Sequence, residues 1–533
     1  MDKTSNVDTD SRGTLQAVAK KYYCFIPAVL AIIVYLPGLN NYFVYDDFLW
    51  LYKAKTLSSN LLQAFQPELY YFDPLVHLTF FSLYSVAGLD PQIYQAFSIL
   101  LHALNAALVY ILTCKISGDT RSGLYSSIIF AASAMIADAV LWQSSVVDLL
   151  STLFSLATML AYRSYLEADN RRSLWLSYLF FICALSAKGT PVVLPLILFY
   201  FGITNAGNRR FYMSLFPYAL LTTIYFVLST HLKNKMNYLL HIDSFNLKNI
   251  VLGLCALFVP ERLLADCNLT VVLLIIIVLV LIVTLVRPVA SHSITLRRTG
   301  VVIATCSILP FFILNDFKLA TADGKIVDLL ASPGHRIYLA SVGSAMLGGG
   351  VLRLLETLSC QRWRKLSLLI PVIALAVFVA FNAYEVSERD RLWEYAGEFS
   401  RATVTGLQAH RERIVEGSHL ALFNFNNSKG FTTALIKVFF NVNDVTVLMN
   451  NNICFGVKED PHLLDKADKS ALLVFDKTWQ VHDLTDLFRL KLQTNMQANS
   501  ATNRMPFILE SIKLTDKLNQ TIAVLTQEQC VEM

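Results

Sequence analysis

The sequence predicts an all-α polytopic membrane protein of about eleven transmembrane helices, followed by a small C-terminal α/β domain. Three observations carry that prediction. Of 533 residues, 55% are hydrophobic and only 16% charged, against roughly 25% charged in soluble domains; mean hydropathy is +0.50. The apolar residues fall in blocks close to the ~20 residues that cross a bilayer as a helix. From about Tyr384 the chain turns polar, and short strand-like runs alternate with a helical one.

In chain order, residues 1–21 read as a cytoplasmic N-terminal tail. The first apolar run, Tyr22 to Leu39, lacks a small-residue cleavage site and leads straight into an aromatic stretch. It therefore reads as a retained span, not a secretory leader. Further spans are expected at 91–113, 122–141, 146–166, 173–187, 189–203, 211–231, 269–286, 299–314, 336–355 and 366–383. Pro74 to Leu89 and Phe245 to Leu264 are ambiguous. Lys20 and Lys21 place the N-terminus inside by the positive-inside rule. The connections holding Lys115 and Arg121, then Arg163, Arg171 and Arg172, then Arg209 and Arg210, fall on that same side. Those with Arg287, Arg297 and Arg298, and with Arg353, Arg362, Arg364 and Lys365, join them only if 245–264 does not cross. Asn249, Gly253, Pro260, Glu261 and Arg262 interrupt that segment, so it reads as interfacial or re-entrant. A first external loop at 40–90 and an external domain at 384–533 follow. In that domain His419–Phe425, Asp444–Met449, Ala471–Phe475 and Thr521–Thr526 read as strands, with a helix in "GFTTALIKVFF".

Sidedness gathers the polar residues of interest near one external face. "NNYFVYDDFLWLYK" places Asp46 and Asp47 side by side among Phe43, Val44, Tyr45, Phe48, Leu49 and Trp50. Adjacent carboxylates in a partly dry setting repel and resist ionisation, which suits a general base or a metal ligand. The plainer reading is a solvated turn. Asp138 ends the third span and Asp148 begins the fourth. A buried pair with Lys or Arg, or a helix cap for Asp148, is the structural alternative. Lys188, in "ALSAKGTPVVLPL", either snorkels to the interface or meets an anion. Arg336, in "ASPGHRIYLASVG", opens a span where a guanidinium beside helix-start N–H groups suits a phosphate, with His335 assisting. His102 and Asn105 lie three residues apart on one helix face, where polar residues commonly hold helices together. His77 falls in an amphipathic stretch expected along the surface.

Several chemistries lack support. No Walker A, dinucleotide-binding, HExxH or Gly-x-Ser-x-Gly signature occurs. The nine cysteines contain no CxxC pair, and the basic residues punctuate apolar runs, with no patch for nucleic acid, at a net charge of +5.

Five stretches, in order over residues 25–350, resemble the GT-C superfamily of integral-membrane glycosyltransferases. The similarity is greatest to the branch of protein O-mannosyltransferases and tetratricopeptide-containing membrane mannosyltransferases. "FVYDDFLW" resembles the acidic pair after the first span. "DPLVHLTFFSLYSVAGLDPQIYQAFSILLHALNAALVYIL" resembles the segment after it. "DAVLWQSSVVDLLSTLF" is similar to the Glu-Ala-Val-Ala-Trp and Asp-Leu-Leu elements, with Asp138 at the Glu position. "ALSAKGTPVVLPLIL" and "HRIYLASVG" resemble the Leu-Ser-Lys-Glu and Glu-Arg-Tyr-Leu elements. Ser133 and Ile136 stand where that branch often has histidines, Gly189 replaces a Glu, Asp73 replaces an Arg, and the tail holds no tetratricopeptide repeat.

The resemblance implies inverting transfer of a sugar from a polyprenyl-phosphate donor to an acceptor hydroxyl on protein, lipid or glycan. It places this on the periplasmic face of a bacterial inner membrane, or in the ER lumen of a eukaryote. Asp46 matches the catalytic position and Asp47 would support it. Arg336, Lys188 and His335 would hold the donor phosphate, with Asp138, Asp148 and His102 in support. Asp46 and Asp47 with a phosphate could also hold Mg²⁺ or Mn²⁺. Two alternatives stand beside this reading: a transporter or lipid flippase, which predicts internal repeats that are not evident, and a catalytically inactive scaffold of the same fold.

Overall fold

The computed structural model describes residues 22–66, 72–205, 209–235, 247–265, 291–310, 332–362, 367–423, 429–450, 469–475 and 479–486. The described chain is mostly helical with one small mixed sheet. Five of its helices are long and apolar enough to cross a membrane: Pro91–Ser117, Gln143–Ala168, Phe211–Ser229, Tyr338–Cys360 and Leu369–Ala409. Thr120–Ala132 with Ala134–Leu141 makes a sixth if that pair, bent by 50°, counts as one span. The chain is an integral membrane protein.

The expected spans map onto this set unevenly. Residues 22–39 form a short helix α1 (Phe25–Tyr35) continued by a 3-10 turn, Leu36–Asn40. Residues 173–187 form α8 (Arg171–Ala187), and 189–203 fold as the turn Thr190–Val193 and α9 (Leu194–Asn205). Phe25–Asn40 and Thr190–Thr204 are apolar but short, and α8 has 17 residues. The span at 269–286 lies outside the described residues, as does the end of the span at 299–314, whose beginning is in α13 (Ser291–Ile308). The ambiguous segment 245–264 is two short helices, α11 (Leu247–Ala256) and α12 (Glu261–Ala265), broken at Pro260. The other stretch is a single helix, α3 (Pro74–Ala87).

Local sequence sets many of the ends. α4 (Pro91–Ser117) starts with Pro91 behind Asp90, whose carboxylate accepts the Gln92 N–H, and stops at Gly118 with φ 68°. A proline at the first position and a left-handed glycine at the last suit a helix's unpaired ends. Asp119 then caps α5 (Thr120–Ala132), and Asn170 caps α8. The short α6 (Ala137–Leu141) and α7 (Val146–Ala168) continue from α5, and α10 (Arg209–Lys235) follows α9. α14 (Tyr338–Arg362) approaches both α13 and α5 through glycines. A Cβ on Gly343 would lie 2.4 Å from the Ala304 nitrogen, and one on Gly349 would lie 2.7 Å from the Ser126 nitrogen. Small residues let backbones of apolar helices close on each other where lipid offers no hydrophobic drive.

α15 (Leu369–Ala409) runs 41 residues without interruption, about 60 Å at 1.5 Å per residue. The boundary expected at 384 falls inside it. The composition does change there, from apolar to "EVSERDRLWEY", but every residue of that stretch tolerates a helix, so polarity shifts without a break.

Packing divides the chain into two compact units. The first comprises Met1–Asn41, Leu61–Thr79 and Ala87–Glu394; the second comprises Tyr42–Asn60, Phe80–Val86 and Tyr395–Met533. Within the first, Asp119 accepts from Arg353, and Glu356 accepts from Arg353, Arg121 and the Tyr125 hydroxyl, which ties α5 to α14. Within the second, a sheet of order β2-β1-β3-β4 carries β1 (Ser418–Phe423), β2 (Val445–Asn450) and β3 (Ser470–Phe475) in parallel. β4 (Val481–Asp483) pairs antiparallel with β3. The helix expected in "GFTTALIKVFF" is α16 (Lys429–Phe440), between β1 and β2. The strand expected at Thr521–Thr526 lies outside the described residues.

The second unit also takes α2 (Asp46–Leu57) from the first loop. Phe48 meets Phe439 edge-on, Lys437 sits over the Tyr52 ring, and Lys55 Nζ donates to the Lys437 carbonyl at 2.8 Å. A lysine on the last carbonyls of a helix is a favourable cap. Burial lowers the Lys55 pKa.

Candidate active site

The acid pair begins α2. Asp46 is half-buried and Asp47 fully buried. Asp47 Oδ2 accepts the Val44 N–H at 2.7 Å, closing the chain back over one turn. Between them Tyr45 is forced to φ 53° and ψ −110°, a region that side-chain-bearing residues avoid and that costs about 1–3 kcal/mol. Its buried ring packs edge-on against Phe431. The loop is therefore held by packing and by Asp47, while Asp46 is the more accessible carboxylate.

The turn Ser332–Arg336, in the first unit, positions the basic residues. Arg336 and Ile337 both donate N–H groups to the Pro333 carbonyl, so the chain coils before α14 starts at Tyr338. Arg336 Nε donates to His335 Nε2 at 3.3 Å. That bond makes Nε2 an acceptor and leaves the ring proton of a neutral imidazole on Nδ1. His335 Nδ1 is buried and has no hydrogen-bond partner among the described residues. Trp142 closes over the ring edge-on at 5.4 Å. Burial pushes the His335 pKa well below its ordinary value, and Arg336, Lys188 and Arg389 push it the same way. The result is a neutral, buried N–H donor in a field of three cations. An unmade buried donor costs about 1–3 kcal/mol.

Asp148 and Lys188 meet. Lys188 Nζ donates to Asp148 Oδ1 at 2.6 Å, while Asp148 Oδ2 is buried without a hydrogen-bond partner among the described residues. Asp148 stands in the first turn of α7 but caps nothing. Lys188 is thus part of an ion pair, with 23% of its side chain exposed.

Asp138 is saturated. Oδ1 accepts Arg389 Nε at 2.6 Å and Trp393 Nε1 at 2.8 Å; Oδ2 accepts Arg389 Nη2 at 2.8 Å and the Ser332 hydroxyl at 2.7 Å. Arg389 Nη2 also reaches Glu261 Oε2 at 3.1 Å. Trp393 stacks on Trp142, which links this network to His335. Gly334 permits the close packing: a Cβ there would lie 2.5 Å from Asp138 Oδ2. With every lone pair used, Asp138 anchors the turn structurally.

His102 is likewise consumed. Nδ1 meets the Tyr338 hydroxyl at 2.7 Å and Nε2 meets the Ala131 carbonyl at 3.1 Å. Asn105 joins them through Leu149 and Tyr338, so this face holds α4, α5, α7 and α14 together. His77 is buried and bonded to the Ala64 carbonyl at 2.7 Å, where a surface position was expected. Its helix brings a polar ring inward against the turn Leu61–Phe65.

Among the described residues, one group places three metal-donor atoms within 4.8 Å of one another: His410, Glu412 and Asp483. Asp46 and Asp47 are not part of it. Asp483 is already engaged by Arg413 and the Thr485 N–H.

Arg389, Trp393, Glu261 and Ser332 were not among the expected site residues. Glu261 reads in sequence as an interruption of an apolar segment, and Arg389 and Trp393 read as the start of the tail. A signal does exist: the Asp138 carboxylate, in a span, needs a cation somewhere. Spacing does not say which.

No family model matches the chain. The human Protein O-mannosyl-transferase TMTC3 (Homo sapiens) is 31% identical over 97 residues, 18% of this chain and 10% of that protein. The match thus spans about a tenth of that relative's length. Among solved structures, ArnT from Cupriavidus metallidurans bound to undecaprenyl phosphate is 11% identical, with a TM-score of 0.48, over 85% of this chain and 93% of that one. The archaeal oligosaccharyltransferase AglB from Archaeoglobus fulgidus, in complex with an inhibitory peptide and a dolichol-phosphate, is 11% identical, with a TM-score of 0.46, over 87% and 74%.

Proposed function

We propose that this chain is a membrane glycosyltransferase that moves a sugar from a polyprenyl-phosphate donor to an acceptor hydroxyl, with inversion, on the external face. The observation that carries the reading is His335 Nδ1, a buried N–H with no partner among the described residues, beside Arg336 and Lys188. A phosphate oxygen is the ligand that would satisfy that donor and the surrounding positive charge together. Arg336 supplies a planar fork of donors and Lys188 a point charge already steered by Asp148.

From the sequence resemblance we take Asp46 as the base, with Asp47 holding its loop. Strain of the kind seen at Tyr45 gathers at functional loops and persists only where packing over-determines it. In the reaction the Asp46 carboxylate takes the acceptor hydroxyl proton. The acceptor oxygen bonds to the anomeric carbon from the side opposite the phosphate, and the carbon–oxygen bond to phosphate breaks with its electron pair leaving on the phosphate. Arg336, His335 and Lys188 stabilise that charge. The 97-residue similarity to an O-mannosyl-transferase supports the same class of chemistry.

Each end has its own test. For the phosphate end, undecaprenyl phosphate is titrated into the purified protein. Arg336→Ala and His335→Ala are expected to weaken binding about tenfold or more, the value of one charge-assisted hydrogen bond; unchanged affinity in both would overturn the assignment. For the base end, glycans of a deletion strain are weighed after complementation. The loss of a sugar residue is expected to be rescued by the wild type and not by Asp46→Asn, and full rescue by Asp46→Asn would sink it.

A further inference from the structure

The bend that ends α5 opens two cavities that meet at Met135. One, of about 380 Å³, is apolar and lined by residues such as Phe130, Leu257, Phe258, Leu352 and Phe378. It borders α15, whose Val372, Ile373, Val377 and Phe381 are exposed on the apolar stretch of that helix. The other, of about 210 Å³, is bordered by Asp138, Glu261, Glu385, Glu388, Arg262 and Arg389. An apolar arm joined to a charged one is shaped for an amphipath.

The charged arm carries four carboxylates against two guanidiniums. Arg389 is occupied by Asp138 and Glu261, and Arg262 reaches Glu388 from the rim at 3.5 Å with 53% of its side chain exposed. Glu385 differs from its neighbours. It is 8% exposed, lines the cavity, and accepts no hydrogen bond among the described residues; its electrostatic neighbour is Arg262. A carboxylate on a nearly buried residue that faces a cavity and accepts nothing from the described residues points to a donor brought by a ligand.

We propose that the joined cleft binds a membrane lipid whose head ends in a primary ammonium, the tail in the apolar arm and the ammonium at Glu385. The excess of carboxylates disfavours a head that is only anionic. The phosphate of an aminophospholipid would instead face Arg262 at the rim. Among the described residues no aromatic ring borders the charged cavity, so a quaternary ammonium would lack the ring faces it prefers there. A compact ammonium, with three donors, fits both facts. The charged cavity borders the back of the turn that carries His335, at Pro333 and Gly334, but Glu385 is on another element, and the lipid site does not depend on sugar transfer.

The test uses the full chain in nanodiscs holding equal phosphatidylethanolamine, phosphatidylcholine and phosphatidylglycerol. Lipids retained after detergent extraction are counted by native mass spectrometry. Phosphatidylethanolamine is expected to be enriched. Glu385→Gln, which keeps shape and removes charge, is expected to cut that enrichment about tenfold. Ala374→Trp, at an exposed position lining the apolar arm, is expected to displace the tail and lower retention of the same lipid, and decides the matter should Glu385→Gln fail to fold. Equal retention of the three lipids, a preference for phosphatidylglycerol or phosphatidylcholine, or enrichment that survives both variants would overturn the proposal.

Discussion

Arg389→Met tests the structural reading of the Asp138 network most directly. Arg389 has 12% of its side chain exposed and holds Asp138, which is 2% exposed, through two hydrogen bonds and Glu261 through a third. Its removal takes the shared cation from both carboxylates. Breaking a buried ion pair by removing one partner costs about 3–5 kcal/mol. Asp138 keeps the Trp393 and Ser332 donors, so the lower half of that range, about 3–4 kcal/mol, is expected. Asp138→Asn should cost less, about 1–3 kcal/mol, because Arg389 then keeps Glu261 and only one charge is lost. The double variant should be less destabilised than the sum by about 1 kcal/mol or more, since the second change removes a charge already stranded. The assay is unfolding of micellar protein titrated with sodium dodecyl sulfate, followed by tryptophan fluorescence. Trp393 and Trp142 stack in the network and report on it. Additive single effects, or an Arg389→Met variant within about 0.5 kcal/mol of wild type, would refute the pairing as the anchor of the turn.

The remaining predictions touch the site itself. His335 is held neutral, with a pKa below the ordinary 6.5. A folded pKa below the unfolded one means stability is full above about 6.5 and falls as the pH drops below it. An anion at Nδ1 opposes that shift, so undecaprenyl phosphate is expected to favour wild type over His335→Ala increasingly as pH falls toward 6, and identical pH profiles and affinities for the two would count against the contact. At Tyr45, with φ 53°, glycine should be tolerated better than alanine by about 1 kcal/mol, since both lose the ring but only glycine is at ease there; paired denaturation midpoints check it, and an alanine variant as stable as the glycine one would count against strain. Gly334→Ala would push a methyl group to 2.5 Å from Asp138 Oδ2 and is expected to cost about 1–3 kcal/mol, read in the same titration.

Much of the architecture was legible because its causes are local. Apolar blocks marked the helices; the caps that set several ends, at Asp90-Pro91, Gly118-Asp119 and Asn170, are local too but emerged in the structure. The alternation of strand and helix in the tail was readable for the same reason. The limits of the reading are as specific. Polarity changes at Tyr384 but the helix continues to Ala409, because propensity, not hydropathy, decides where a helix stops.

By itself, the sequence determined that this is a helical membrane protein with a small α/β domain, and which side chains bear charge in expensive places. Tertiary structure alone decided what those charges do. It gave Asp138 to Arg389 across 251 positions and Lys188 to Asp148 across 40, turned His102 into a joint between helices, and joined the Asp46–Asp47 helix to the C-terminal unit. It also left His335 Nδ1 buried with no hydrogen-bond partner among the described residues, and Glu385 nearly buried at the wall of a cavity. The physical reason is that a buried charge demands a partner in space and places no constraint on where that partner lies in the chain.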